Sequence, residues 1–175
     1  FMGPDYRTPN PDFDVVAKLP DSALRDGYAA GNDYSWWDEG TQKGHLWETR
    51  LSISGGNDVS DYFISYSHTD QSGFIKNDDF KRNSVRINLN THLAPWWKVG
   101  VQAFGSFVNQ DGAEPNLGTL IHQSPLITPY DENGKIKPFP FNTLDQNPFM
   151  GSDIDDYERH NYFSGVVTTE IKFPL

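Results

Sequence analysis

The side chains most able to do chemistry in this chain are acidic, and they fall in two groups. "GSDIDDYERH" offers Asp153, Asp155, Asp156 and Glu158, and "WWDEG" offers Asp38 beside Glu39. Clustered carboxylate oxygens suit a hard cation such as calcium. The EF-hand spacing fails, however, because Glu158 stands where the turn glycine is required. Paired carboxylates also serve glycoside hydrolysis, but adjacent Asp38 and Glu39 in a loop lack the opposed geometry that reaction needs. His45, His68, His92, His122 and His160 are scattered without ligand spacing, and each is expected as a surface side chain rather than a metal ligand. No catalytic residue, metal site or cofactor is expected, and a hydrolase using Asp38 or Glu39 ranks third among the functional readings.

Composition narrows the class. The chain has 175 residues, 24 Asp+Glu against 14 Lys+Arg and a net charge of −10, which argues against nucleic acid as a partner. The absence of cysteine excludes a disulfide framework and cysteine-ligated zinc. Twelve Pro, fifteen Gly and 14% aromatic residues point to a turn-rich all-β protein. There is no apolar run long enough for a transmembrane helix, but strands of a membrane barrel need only about 9–11 residues each. The opening at Phe1, without a methionine or signal segment, and the stop at "EIKFPL" after an unpartnered alternation read as a piece of a longer chain.

The elements follow from alternation. Residues 1–44 read as a long loop, with a short helical turn in "PDSALRDGYAAG" that Asp21 or Ser22 caps and Gly27 or Gly31 stops. Residues 45–110 contain four strands. In the first, Trp47, Thr49, Leu51 and Ile53 oppose Glu48, Arg50 and Ser52. In the second, Tyr62, Ile64 and Tyr66 oppose Phe63, Ser65 and Ser67. The third is the cleanest: Val85, Ile87, Leu89, Thr91 and Leu93 against Ser84, Arg86, Asn88, Asn90 and His92. The fourth sets Val99, Val101, Ala103 and Phe107 against Gln102, Phe104 and Ser106. Residues 111–158 form a second long loop. Residues 159–175 hold a fifth strand, with Phe163, Val167, Ile171 and Phe173 opposite Ser164, Thr168, Glu170 and Lys172.

The links alternate short and long, with "GGND" and "APWW" short, as in an outer-membrane barrel with short periplasmic turns and long extracellular loops. Trp96 and Trp97 at a short turn suit an interfacial aromatic girdle, or equally the packing of a soluble core. The loop aromatics Tyr34, Trp36, Trp37 and Tyr130, with Phe139 and Phe141, suit stacking on a ligand, or packing of the loops on one another.

These strands carry a resemblance. "LSISGGNDVSDYFISYSHTDQSGFIKNDDFKRNSVRINLN" followed by "WWKVGVQAFGSF" is similar to the early barrel strands of SusC-like TonB-dependent outer-membrane transporters of Bacteroidetes. The upstream "DYSWWDEG" resembles that family's Asp-Trp-x-Asp-Glu segment, with Trp37, Asp38 and Glu39 in matching places, and "SPLITPYDENGK" and "NPF" resemble its next loop. The likeness runs from Asp33 to Asn147. It implies a barrel of roughly 22 strands with a plugged lumen, of which this chain supplies about five, the plug and the remaining barrel lying outside it. It further implies location in the bacterial outer membrane, contact with outer-membrane lipid, a SusD-like surface lipoprotein as partner, TonB acting through regions beyond this stretch, and import of an oligosaccharide or peptide. The competing reading is a soluble carbohydrate-binding β-sandwich, which requires two sheets packed within this one chain.

Overall fold

The computed structural model describes residues 2, 7–141, 144–152 and 154–173. Five strands form one antiparallel sheet in the order β1-β2-β3-β4-β5: β1 His45–Gly56, β2 Ser60–Ser72, β3 Asp79–Ala94, β4 Trp97–Asn109 and β5 Arg159–Ile171. Four short helices lie elsewhere: α1 Val15–Lys18, α2 Ser22–Ala29, α3 Trp36–Gly40 and α4 Leu117–Leu120. The chain separates into two compact units, residues 1–40 with 116–150, and residues 41–115 with 151–175.

The sheet unit is a meander whose register keeps every alternation in phase. Leu51 pairs with Tyr66, Tyr66 with Val85, Val85 with Gly105 and Gly105 with Phe163. Because side chains alternate faces with period two, a one-residue slip anywhere would move a whole strand's apolar set to the other side. The β1–β2 connection is the three residues after Gly56, where Asn57 Oδ1 accepts from Val59 N and Ser60 N at 2.9 Å each. Pro95 and Trp96 join β3 to β4. At the opposite end the β2–β3 link closes through Gly73 N donating to Asp78 O at 2.7 Å. Asn77 there adopts a positive φ of 67°, which asparagine tolerates better than most residues.

The strands run further than their apolar alternation. The stretch "HTDQS" belongs to β2 and "DFKR" to the start of β3, with Asp70 opposite Lys81 and Gln71 opposite Phe80. Backbone pairing continues there because cross-strand polar pairs hold it as well as apolar ones do.

The loop unit has its own small core of Leu24, Trp36, Leu120, Ile127 and Phe149. Residues 1–44, read from sequence as loop, hold three of the four helices. Local signals account for α2: Asp21 Oδ1 accepts from Ala23 N at 2.8 Å. At the other end Gly31 N donates to Tyr28 O and Asn32 N to Gly27 O, with Gly31 at φ 70°. This is a Schellman stop that needs the left-handed conformation glycine supplies. Asn116 caps α4 through Thr119 N at 2.9 Å.

Candidate membrane wall and ligand-facing surfaces

The two sides of the sheet differ in chemistry. On one side, successive rows read Leu51, Tyr66, Val85, Phe163; then Ile53, Ile64, Ile87, Ala103; then Tyr62, Leu89, Val101, Val167. This side is uncovered: Leu51 is 64% exposed, Ile53 59%, Phe163 77% and Val167 74%. Contiguous apolar surface on this scale marks contact with an apolar phase or partner. The other side carries Arg50, Ser65, Arg86, Phe104 and Ser164; its Ser65, Ser67 and Ser84 are half-buried and its arginines exposed. A soluble sheet covers its apolar side, and here that side stands open.

The apolar side is bounded. Toward the β2–β3 link it ends in a polar row, where Tyr66 Oη donates to Asn83 Oδ1 at 2.7 Å and His68 Nδ1 lies 2.9 Å from the same oxygen. One row further are the charges Asp70 and Lys81, 3.9 Å apart. At the other end stand Trp96 and Trp97, rings stacked at 6.1 Å, with Trp97 Nε1 donating to Thr169 Oγ1 at 2.7 Å. From Trp97 to Phe107, β4 covers roughly 34 Å at about 3.4 Å per residue. That is about 26 Å along a membrane normal at a strand tilt of roughly 40°, against an apolar band of about 25 Å in outer-membrane barrels. No helix among the described residues is long and apolar enough to cross a membrane.

The loop unit places the four candidate ligand-binding aromatics close together in different roles. Trp36 is only 3% exposed. Its Nε1 donates to Ser124 O and Ile127 O at 2.9 and 3.0 Å, its ring stacks on Phe149 at 6.0 Å, and Tyr34 meets its edge at 5.6 Å. Tyr130 Oη donates to Glu39 Oε1 at 3.2 Å. Burial first, and then the Glu39 charge, push the Tyr34 hydroxyl well above the ordinary tyrosine value. Trp37 is 48% exposed. Tyr34, Trp36 and Trp37 line a concavity of ≈ 410 Å³ together with Ile121, Gln123 and Pro125. The last three come from a segment some ninety residues away in sequence and carry no periodic signal of their own. Phe141 packs against the small core and Phe139 is exposed.

The carboxylates of the two acidic groups are dispersed. Glu39 is engaged by tyrosine, while Asp38 is exposed. Asp153 lies outside the described residues. Asp155, Asp156 and Glu158 are exposed, and no group of three metal-ligating side chains occurs among the described residues. Sequence reasoning missed Asp111, the best-held acid of this region. It accepts from Arg159 Nε at 2.8 Å and from Glu158 N at 3.0 Å, and the Arg159 guanidinium holds its carboxyl below the usual carboxylate range. Four of the histidines make local contacts: His45 to Ser72, His68 to Asn83, His92 to Val59 O, and His160 to Glu158.

No protein-family model matches the chain. Among curated proteins it is similar to TonB-dependent receptor P3 of Formosa agariphila, with 31% identity over 98 residues, 55% of this chain and 10% of the receptor. It is also similar to TonB-dependent receptor P26 of the same organism, with 24% identity over 104 residues, 59% of this chain and 10% of the receptor. The chain thus spans 10% of the length of each curated relative it matches. Among solved structures it is similar to the RagAB peptide transporter, with 21% identity and a TM-score of 0.44 over 73% of this chain and 16% of that one. The RagAB peptide importer in the "closed-closed" state gives 22% and 0.44 over 74% and 17%. The resemblance to TonB-dependent receptors expected from the strand motifs is borne out by the sequence matches, and the expected antiparallel β architecture by the five-stranded sheet. Both curated relatives are named as receptors and neither as an enzyme.

Proposed function

We propose that this chain is a wall segment of a TonB-dependent importer in the bacterial outer membrane, with its apolar sheet face against lipid and its polar face toward the lumen. The observation that carries this reading is the uncovered apolar face: one continuous apolar side, about as tall as a bilayer core, stands open. Among the described residues no strand pairs with the outer edges of β1 and β5, which fits this reading, since a barrel closes such edges against further strands whereas lipid penalises them by several kcal/mol per unpaired group. Trp96 and Trp97 then form part of the aromatic girdle at the short-turn end. The described residues contain one sheet, not the two that a carbohydrate-binding sandwich requires.

Residues 1–44 and 111–158 act on this reading as extracellular loops. Trp37, with Tyr34, Tyr130 and the concavity beside Trp36, supplies an aromatic surface for an oligosaccharide or peptide, or for a SusD-like lipoprotein closing over it. The test is fractionation and uptake with the full-length protein. Recovery in the outer membrane, with solute uptake abolished when TonB is deleted, is the expected result. Recovery of the full-length protein in a soluble fraction would overturn it.

A further inference from the structure

The polar side of the sheet carries three arginines around a patch of hydroxyls. Arg50 is on β1, and Arg82 and Arg86 are on β3. Between them lie Ser67, Ser84 and Ser106, direct cross-strand neighbours, with Ser84 Oγ donating to Ser106 Oγ at 3.4 Å, and Ser65 one row away. Together they line a groove of ≈ 410 Å³. The guanidinium of Arg86 sits over the Phe104 ring at 5.5 Å and that of Arg82 over Phe80 at 5.7 Å. Such stacking orients the planar fork and leaves its edge N–H groups free to donate.

What these arginines lack is a counter-charge. The chain has 24 Asp+Glu, yet among the described residues no carboxylate forms a salt bridge with Arg50, Arg82 or Arg86. Two acids share this face near the cluster. Asp61 accepts from Asn90 Nδ2 at 2.8 Å, and Glu48 stands opposite Thr69, in the same row as Arg82 but two strands away. All three arginines are exposed. An arginine held as a fixed structural pair would find its acid on the neighbouring rows, as Arg159 finds Asp111.

We infer that this arginine–serine strip binds a solute bearing several carboxylate groups. The inference rests on the reading of this face as the lumen wall. Guanidinium forks match carboxylates with two parallel hydrogen bonds, and the serine hydroxyls donate to the remaining oxygens. Arg82 and Arg86 are about 14 Å apart along β3, and Arg50 lies at an intermediate height two strands away, roughly 12 Å from each at the backbone. That spacing suits a chain of anionic units better than one small ion. An acidic sugar chain and an acidic peptide offer the same groups.

The experiment is a titration of the full-length protein, purified from outer membrane, with tetragalacturonate and with tetra-aspartate. The uncharged comparators are the tetragalacturonate methyl ester and tetra-asparagine. At least one carboxylated probe should bind roughly tenfold more tightly than its comparator, with the preference shrinking as salt rises; which probe it is identifies the source. The triple variant Arg50→Gln, Arg82→Gln, Arg86→Gln should lose that preference while reaching the membrane like the parent, and the corresponding triple lysine variant should keep most of it. Equal binding of charged and uncharged probes by the parent, no binding of any probe, or a preference that survives in the glutamine variant would overturn the anion site. A glutamine variant that fails to assemble beside a parent showing no preference would assign the arginines to an internal acidic segment instead. Full-length protein found outside the membrane would overturn the importer reading, a result distinct from an outer-membrane protein that ignores charge.

Discussion

The loop unit and the sheet unit place their apolar side chains in opposite ways. In the loop unit, Leu24, Trp36, Leu120, Ile127 and Phe149 point inward and are nearly sealed from solvent. In the sheet unit, Leu51, Ile53, Phe163 and Val167 point outward and are mostly open. The same chain therefore follows the rule for water in one region and breaks it in the other. Local propensity does not separate the two, since strands anywhere alternate and helices anywhere cap. On the proposed reading the difference lies in the surroundings of each: water around a packed cluster of loops, and hydrocarbon around a wall of strands.

The contrast can be broken from either side. Trp36→Ala should have the largest effect, about 3–5 kcal/mol lost from the loop unit, as expected for removing a buried aromatic ring. In the full-length protein it should expose residues 1–40 and 116–150 to protease while the barrel still resists heat and detergent. Ile87→Arg should cost the sheet about 2–4 kcal/mol at mid-membrane depth and abolish outer-membrane assembly, read as loss of the heat-modifiable band. Arg86→Ala, one residue away on the other face, should leave assembly intact. If the two substitutions behaved alike, the two-sided account of the sheet would be wrong.

Smaller effects sharpen the picture. A Cβ on Gly27 would run into the Leu126 carbonyl, so Gly27→Ala should destabilise the loop unit by about 1–3 kcal/mol through overpacking, measurable as faster protease cleavage there. The Asp111–Arg159 pair should give the smallest effect. Because the Asp111 pKa is depressed, its contribution is complete above the ordinary carboxylate value and is lost as pH falls through the lowered one. The Glu158 amide, which donates to Asp111, should lose hydrogen-exchange protection on acidification relative to neighbouring β5 amides. At neutral pH, Asp111→Asn should produce about a fivefold loss or less, the range of exposed pairs.

Much of the sheet was legible in the sequence because period-two alternation is a local signal. The faces assigned to Val85, Ile87 and Leu89 and to Ser84, Arg86 and Asn88 follow from spacing alone, and the register agrees. Strand ends were not legible, because Asp70 and Lys81 pair across strands without any apolar pattern. The helix over Ser22–Ala29 announced itself through Asp21 and Gly31, whereas α3 and α4 did so far less. The fate of Trp36 was hidden altogether. Its partners Ser124, Ile127 and Phe149 lie more than eighty residues on, so nothing local distinguishes it from the half-exposed Trp37.

The central claim is that alternate residues of β3 face lipid and lumen. Single cysteines at positions 84 to 89 of the full-length protein, with any other cysteine replaced, would carry an environment-sensitive fluorophore in vesicles containing brominated lipid. The account predicts strong quenching at 85, 87 and 89 and weak quenching at 84, 86 and 88. Quenching that does not alternate, or that alternates in the opposite phase, would contradict it.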